Sequence, residues 1–212
     1  MGKVTDISRQ KRNKTRLNIF IDGEFVCGLD EVALVSARIK IGDEISADEL
    51  KRLVFKSELN SAFERAVGYL GLAPRARKEI ERYLMDKGYD RAVAEQVLQK
   101  LDEYHYTDDY GYAQSYIRSK SKKYGTFRIA AELRKKGIAS EILDELLDEG
   151  CDDGILDVAR KYIKSHRTTD KQKLKRFLAG RGFSWDAISS AVSVLSTEGV
   201  FDEADDAEND QD

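Results

Sequence analysis

Proline is nearly absent from this chain, with one residue, Pro74, in 212. That argues against a β-sandwich, whose many turns demand more Pro and Gly. With 35% charged and 41% hydrophobic residues, the composition suits a soluble protein built mainly of helices. Cysteine and histidine are as scarce, two of each. Cys27 and Cys151 lie far from each other in sequence and far from His105 and His166. This spacing argues against a disulfide framework and against a zinc site, which needs about four ligands at close intervals. Long apolar runs are missing too, since nothing approaches the roughly 18 residues of a membrane span. The opening segment MGKVTDISRQKRNKTR is basic but has no apolar core, so it is no secretory signal, and it offers no lipidation site. The expectation is a cytoplasmic protein that uses neither metal nor cofactor.

Catalytic signatures are missing as well. There is no GxSxG, HExxH or Walker-type loop, and the Gly-Asp turns near the start are not followed by Lys-Ser/Thr. Asp108 and Asp109 are the most tempting carboxylate pair. Neighbours in a helix point about 100° apart, however, and a place in a first helical turn explains both. No enzyme is expected.

What is abundant is charge, and it is segregated. The last fifteen residues, Glu198 to Asp212, hold eight acids and no base, so a chain of net charge −3 carries +5 over its first 197 residues. Arg118 to Lys136 has eight bases against one acid, Glu132, and Arg160 to Arg181 has nine bases against one acid, whereas Glu141 to Asp153 has seven acids and no base. Oppositely charged faces of this kind can steer a polyanion or a charged protein partner, or can simply be solvated surface.

Along the chain, residues 1–16 read as a flexible basic arm with Lys11, Arg12, Lys14 and Arg16. In LNIFIDGEFVCGL, Asp22-Gly23 between two strand-like runs predicts a hairpin with a type I′ turn. Asp30 to Ala37 reads as a short helix, and Gly42-Asp43 as a turn whose flanks add a short strand. Ser46 and Glu49 form a capping-box signal that opens a long helix to about Leu72. Its buried side is expected at Leu50, Leu53, Val54, Leu59, Phe63, Ala66, Val67 and Leu70.

From Ala66 the sequence repeats. YLMDKGYDRAVAEQVLQKL, ELRKKGIASEILDELLDEG and FLAGRGFSWDAISSAVSVL align on Gly88, Gly137 and Gly182. Tyr69-Leu70, Tyr116-Ile117 and Tyr162-Ile163 precede those glycines by 19, 21 and 20 residues, a unit of about 47. Each copy reads as helix, break, helix, glycine turn, helix. The breaks fall at Leu72-Ala73-Pro74, Gly125-Thr126 and Thr168-Thr169-Asp170, with Pro74 expected in a first helical turn. In the second copy, Thr107 is expected to cap the first helix and Thr126 the second. The third helices should bury Val93, Val97, Leu98 and Leu101; Ile142, Leu143, Leu146 and Leu147; and Ile188, Ala191, Val192 and Leu195. Trp185, the only tryptophan, is expected to pack, with Ser184 as a cap beside it. Units this small need stacked neighbours to complete their cores.

The fold expected is therefore all-α: three tandem three-helix repeats in an elongated, curved array, with a small N-terminal β-hairpin-containing extension. The boundaries are the arm 1–16, the hairpin and helix extension 17–57, repeats at 58–105, 106–152 and 153–201, and a disordered acidic tail at 202–212. Three functions compete on the residues alone: an interaction protein docking on a larger assembly, a direct DNA binder, and a hydrolase whose site is not visible. Tandem helix-turn-helix-like units with basic second helices fit either of the first two.

DDYGYAQSYIRSK followed by GTFRIAAELRKKGI resembles the signature of the RecX family of recombination regulators. PRARKEIERYLMDKGYD and KLKRFLAGRGFSWDAI are similar to that family's first and third repeats, in the same order and with the same gaps. The resemblance spans roughly Ala66 to Leu195, and the hairpin region is similar to the N-terminal extension of some members. It implies a helical three-repeat modulator, without catalytic activity, that lodges in the groove of the RecA–DNA filament and restrains recombinase and ATPase activity. The implied partners are the RecA recombinase filament, single-stranded DNA and, second to it, double-stranded DNA. No membrane is involved, and the chain is expected to be a monomer. The residues expected to meet recombinase or DNA are Arg118, Lys120, Lys122, Lys123, Arg128, Arg134, Lys135, Lys136, Arg160, Lys161, Lys164, Arg167, Lys171, Lys173, Lys175, Arg176 and Arg181. The alternative is a stand-alone helical DNA-binding protein that acts without RecA.

Overall fold

Alternating apolar residues in the first thirty positions build a sheet larger than a hairpin. In the computed structural model, which describes residues 1–11, 15–147, 152 and 154–201, β1 (Gly2–Arg9), β2 (Arg16–Ile21) and β3 (Glu24–Asp30) form antiparallel pairs. A short β4 (Glu44–Ile45) completes a sheet of order β3-β2-β1-β4. The flexible arm expected over 1–16 is thus corrected as far as Arg9. Val4 and Ile7 are three apart, which in a regular strand would put them on opposite faces. A register shift between Val4 and Asp6 turns both toward the same side, opposite Ile21 and Ile19, and so hides the strand from a period-two reading. Arg12 and Lys14 lie outside the described residues. Asp22 and Gly23 both have positive φ, 51° and 87°, as the type I′ turn requires.

One helix serves two cores. After α1 (Glu31–Ala37), the capping box of Ser46 and Glu49 opens α2 (Ala47–Leu70). Its first half sends Leu50, Leu53 and Val54 into the core under the sheet with Val4, Leu17, Ile19, Leu29 and Leu34. Its second half packs Ala62, Ala66 and Leu59 against α3 (Arg77–Asp86) and α4 (Arg91–Glu103). Leu53 and Ala62 are nine positions apart, which at about 100° per residue places them on opposite sides of the helix. The helix runs unbroken across the boundary expected at 57–58. At that crossing Ser57, 1% exposed, accepts a hydrogen bond from the Asp30 backbone N–H at 2.6 Å, while Asp30 itself caps α1 through Ala33 N–H.

The chain divides into two compact units, Met1–Asp108 and Asp109–Asp212. The first holds the sheet, α1 and the helices α2 to α4. The second holds α5 (Asp109–Lys120), α6 (Thr126–Lys136) and α7 (Ser140–Leu147), then α8 (Ile155–His166), α9 (Lys171–Gly180) and α10 (Trp185–Thr197). The three-helix repeats are therefore present in the expected order. Gly88, Gly137 and Gly182 all take positive φ at the ends of α3, α6 and α9. Repeats one and three bury the third-helix residues expected of them, but in α7 only Leu143 is fully buried. Three local expectations are corrected. Pro74 lies in the loop before α3, whose N-cap is Ala76. The Thr107 hydroxyl donates to Asp102, and α5 begins at Asp109. Gly125, not Thr126, is the N-cap of α6. Cys151 and the acidic tail at 202–212 lie outside the described residues.

Replacing Ser57 by Ala would strand the buried Asp30 N–H, at a cost of about 1–3 kcal/mol. Urea unfolding of Ser57→Ala should show that loss with an unchanged slope. An unchanged midpoint would mean that this crossing contributes nothing to stability.

Candidate functional site

All seventeen basic residues singled out in the sequence belong to the second unit. Arg118 and Lys120 end α5, where cations meet the negative end of the helix, and Lys122 and Lys123 follow in the turn. Arg128, Arg134, Lys135 and Lys136 ride on α6, Arg128 and Lys135 opposite its buried Ile129, Ala130 and Leu133, Arg134 at the flank and Lys136 on the side of Ile129. Arg160, Lys161 and Lys164 ride on α8, with Arg167 as its left-handed C-cap. Lys171, Lys173, Lys175 and Arg176 lie on α9, and Arg181 caps its C-terminus. By contrast α3, the matching second helix of repeat one, has three bases balanced by three acids.

Aromatic rings tie several of these cations together. The Arg128 guanidinium lies 4.1 Å from the centre of the Tyr124 ring, and Arg181 lies 5.4 Å from the same ring and 4.9 Å from Phe177. Phe177 stacks on Tyr162 at 4.0 Å, and Tyr162 on His166 at 4.3 Å. In repeat two, Lys120 and Lys136 lie over Tyr116, whose hydroxyl donates to Glu132 at 2.6 Å. Burial and that bond push the Tyr116 hydroxyl up to about 12. The same bond, helped by Arg128 at 3.2 Å, holds Glu132 below its ordinary value. A strip of cations and rings therefore runs from repeat two into repeat three. Not every candidate joins it. Arg160 pairs with Glu198 at 2.7 Å and Lys173 with Asp170 at 3.2 Å, while Arg118, Lys122, Lys123, Arg134, Lys135, Lys161, Lys164, Arg167 and Arg176 are exposed.

The strip crosses a seam held by Asp152. One carboxylate oxygen accepts the Thr126 N–H and hydroxyl, both at 3.0 Å. The other accepts the Ser184 N–H at 3.0 Å and hydroxyl at 2.7 Å. The starts of α6 and α10 thus share one anion, which suits the positive ends of both helices. Ser184 caps α10 as expected, through Ala187 N–H. Burial works to raise the Asp152 pKa, but the hydrogen bonds from Ser184 and Thr126 outweigh it and hold the carboxyl below 3.8. The backbones meet directly as well: Gly125 N–H donates to Arg181 O at 3.1 Å and Phe127 N–H to Gly182 O at 3.0 Å. A Cβ at Gly125 would lie 2.3 Å from the Phe183 backbone, and one at Gly182 2.5 Å from the Arg128 Cβ, so both positions require glycine.

Sequence reasoning misses Asp152, counting it only among an acidic run. Its partners lie 26 and 32 positions away, so no local signal exists. Trp185 is a correction: it is 63% exposed, because Phe183, 3% exposed, fills the end of the repeat-three core and leaves the first residue of α10 outside. Among the described residues, no group of three or more His, Cys, Asp or Glu could hold a metal ion. No helix among them is long and apolar enough to cross a membrane.

Comparison with known proteins covers most of the chain. Family models match the RecX N-terminal domain at residues 2–46 and the first, second and third RecX three-helix domains at 62–101, 108–147 and 152–192. Regulatory protein RecX of Clostridium acetobutylicum is 30% identical over 92% of this chain and 97% of its own length. That of Bacillus subtilis is 30% identical over 93% of this chain and 79% of its own. A crystal structure of regulatory protein RecX superposes with TM-score 0.69 at 25% identity, covering 91% of this chain and all of that one. The structure of RecX from Lactobacillus salivarius gives 0.60 at 25% identity, covering 66% of this chain and 97% of its own.

Asp152→Asn would keep one acceptor but turn an amide N–H₂ toward donors, destabilising the second unit by about 1.5–3 kcal/mol at neutral pH. The folded pKa lies below the unfolded one, so the carboxylate's contribution is complete above the unfolded value near 4 and disappears as the pH falls through the folded value. Thermal melts should therefore show a gap between parent and Asp152→Asn at pH 7 that narrows on acidification. A gap that widens toward pH 3 would contradict the clamp.

Proposed function

Since the chain belongs to the RecX family of regulatory proteins, we propose that it regulates homologous recombination and DNA repair by binding the RecA recombinase on DNA and slowing its ATP hydrolysis. The supporting observation is the basic and aromatic strip that crosses repeats two and three. A recombinase filament offers such a surface two kinds of anion, the acidic side chains of its subunits and the phosphates of the bound strand. Cations placed on helices meet either without ordering of the backbone, and each phosphate that they neutralise releases counterions, which makes binding salt-dependent.

In this reading the protein acts as a monomer in the cytoplasm and catalyses nothing. Its repeats span neighbouring filament subunits and hinder their addition or the movements that accompany ATP turnover and strand exchange. The same charge would serve a protein that binds DNA without the recombinase. That alternative is distinguished by binding to naked DNA as tight as binding to the filament.

Single-stranded-DNA-dependent ATP hydrolysis by the cognate recombinase tests the proposal. Substoichiometric protein should slow it, and the protein alone should hydrolyse no ATP. Arg128 makes a poor probe, because its guanidinium pairs with Glu132 and lies over Tyr124. Arg134 and Lys135 are exposed on α6, and alanine suits a helix, so Arg134→Ala/Lys135→Ala should melt like the parent. It should need several-fold more protein for the same inhibition, with a salt slope flatter by about one for each phosphate that is no longer neutralised. Unchanged turnover at saturating parent protein would refute the proposal, and full inhibition by the variant at the parental concentration would place the binding surface elsewhere.

A further inference from the structure

We propose that Phe127 and Trp185 are stacking platforms for unpaired bases of single-stranded DNA, one on each side of the seam between repeats two and three. The inference rests on the reading that the basic surface of these repeats meets DNA, and it names which part of the nucleotide each group takes. At 66% and 63% exposure they are the two most exposed aromatic side chains among the described residues. Neither serves a core: α6 buries Ile129, Ala130 and Leu133, and Phe183 closes repeat three.

Both are nevertheless held in place. Phe127 N–H is bonded to Gly182 O, and the residues just before each aromatic, Thr126 and Ser184, are bonded to Asp152. Large rings fixed on rigid backbone lose little freedom when a base stacks on them. Phosphates have separate sites. Asp152 already occupies the positive ends of α6 and α10, which leaves the backbone of the strand to the side-chain cations. Lys175 Nζ lies 5.9 Å from the centre of the Trp185 ring, and exposed Arg134, seven positions after Phe127, projects from the same side of α6. Base on ring and phosphate on cation is the division of labour of single-strand binding. A duplex keeps its base faces stacked inside and offers neither ring a partner. A protein partner would call for a contiguous dry apolar patch, whereas Thr126, Arg128, Ser184 and Asp186 flank these rings with polar groups.

Trp185 is the only tryptophan, so its fluorescence reports on the site directly. The full-length protein is titrated with an oligothymidylate, with an abasic strand of equal length, and with a duplex. Oligothymidylate should quench Trp185, while the abasic strand and the duplex should leave it nearly unchanged. Trp185→Ala and Phe127→Ala should each weaken oligothymidylate binding about tenfold, measured by anisotropy of a labelled strand, and leave abasic-strand binding as in the parent. Absence of quenching at saturation, equal quenching by the duplex, or parental affinity in both variants would overturn the inference. So would variants that hold oligothymidylate normally but no longer restrain the recombinase, since the rings would then face protein. Slowed ATP hydrolysis without any response to the naked strand would leave the regulatory reading standing and sink this one. Quenching by a protein that leaves ATP hydrolysis untouched would do the reverse.

Discussion

The Asp152 carboxylate accepts hydrogen bonds from the start of α6 and from the residue that caps α10, groups 26 and 32 positions away in the chain. Two helix N-termini brought together would each present about half a positive charge, and the shared carboxylate turns that repulsion into a joint. Gly125 and Gly182 let the backbones approach closely enough for the joint to close. Small three-helix units bury little apolar surface alone, and repeat two is the thinnest, with only Leu143 fully buried in its last helix. A charge-assisted, backbone-anchored joint is therefore a larger share of what fixes repeat two against repeat three than it would be in a larger domain.

That joint decides how the charge is displayed. Arg128 packs beside Gly182, and Arg181 meets Tyr124 across the seam, so the cations of two repeats form one continuous strip. Partial engagement of those cations by rings and by Glu132 limits their conformational freedom. Arg134 and Lys135 of α6 and Lys173 and Arg176 of α9 are exposed outside that strip, Lys173 paired with Asp170 and Arg176 donating to the Gln172 carbonyl.

Much of this architecture is legible in the sequence because its determinants are local. Asp22-Gly23, the Ser46 and Glu49 box, Ser184 and the three repeat glycines each act within a few residues, and each sits where its chemistry indicates. The failures share a physical cause, which is dependence on distant groups. β1 is obscured by a bulge that only its pairing with β2 creates. Thr126 resembles a cap in sequence, but its hydroxyl turns to a partner near the start of another repeat. Trp185 has the right helical spacing for burial with Ile188 and Val192 but stands one turn beyond the layer that buries them. The basic residues are readable as a set. Which of them cooperate is not, since that depends on Tyr124, Phe177 and Tyr162, rings that meet cations and one another across different elements.

The surface proposed to meet the recombinase–DNA filament is formed by repeats two and three, joined at Asp152. Backbone hydrogen exchange of the full-length protein, free and bound to its cognate filament, measures this most directly. Binding through this surface should slow exchange in α6, α9 and the first turn of α10 and leave the β1–β3 sheet unchanged. Protection confined to that sheet, with α6 and α9 exchanging as in the free protein, would contradict it.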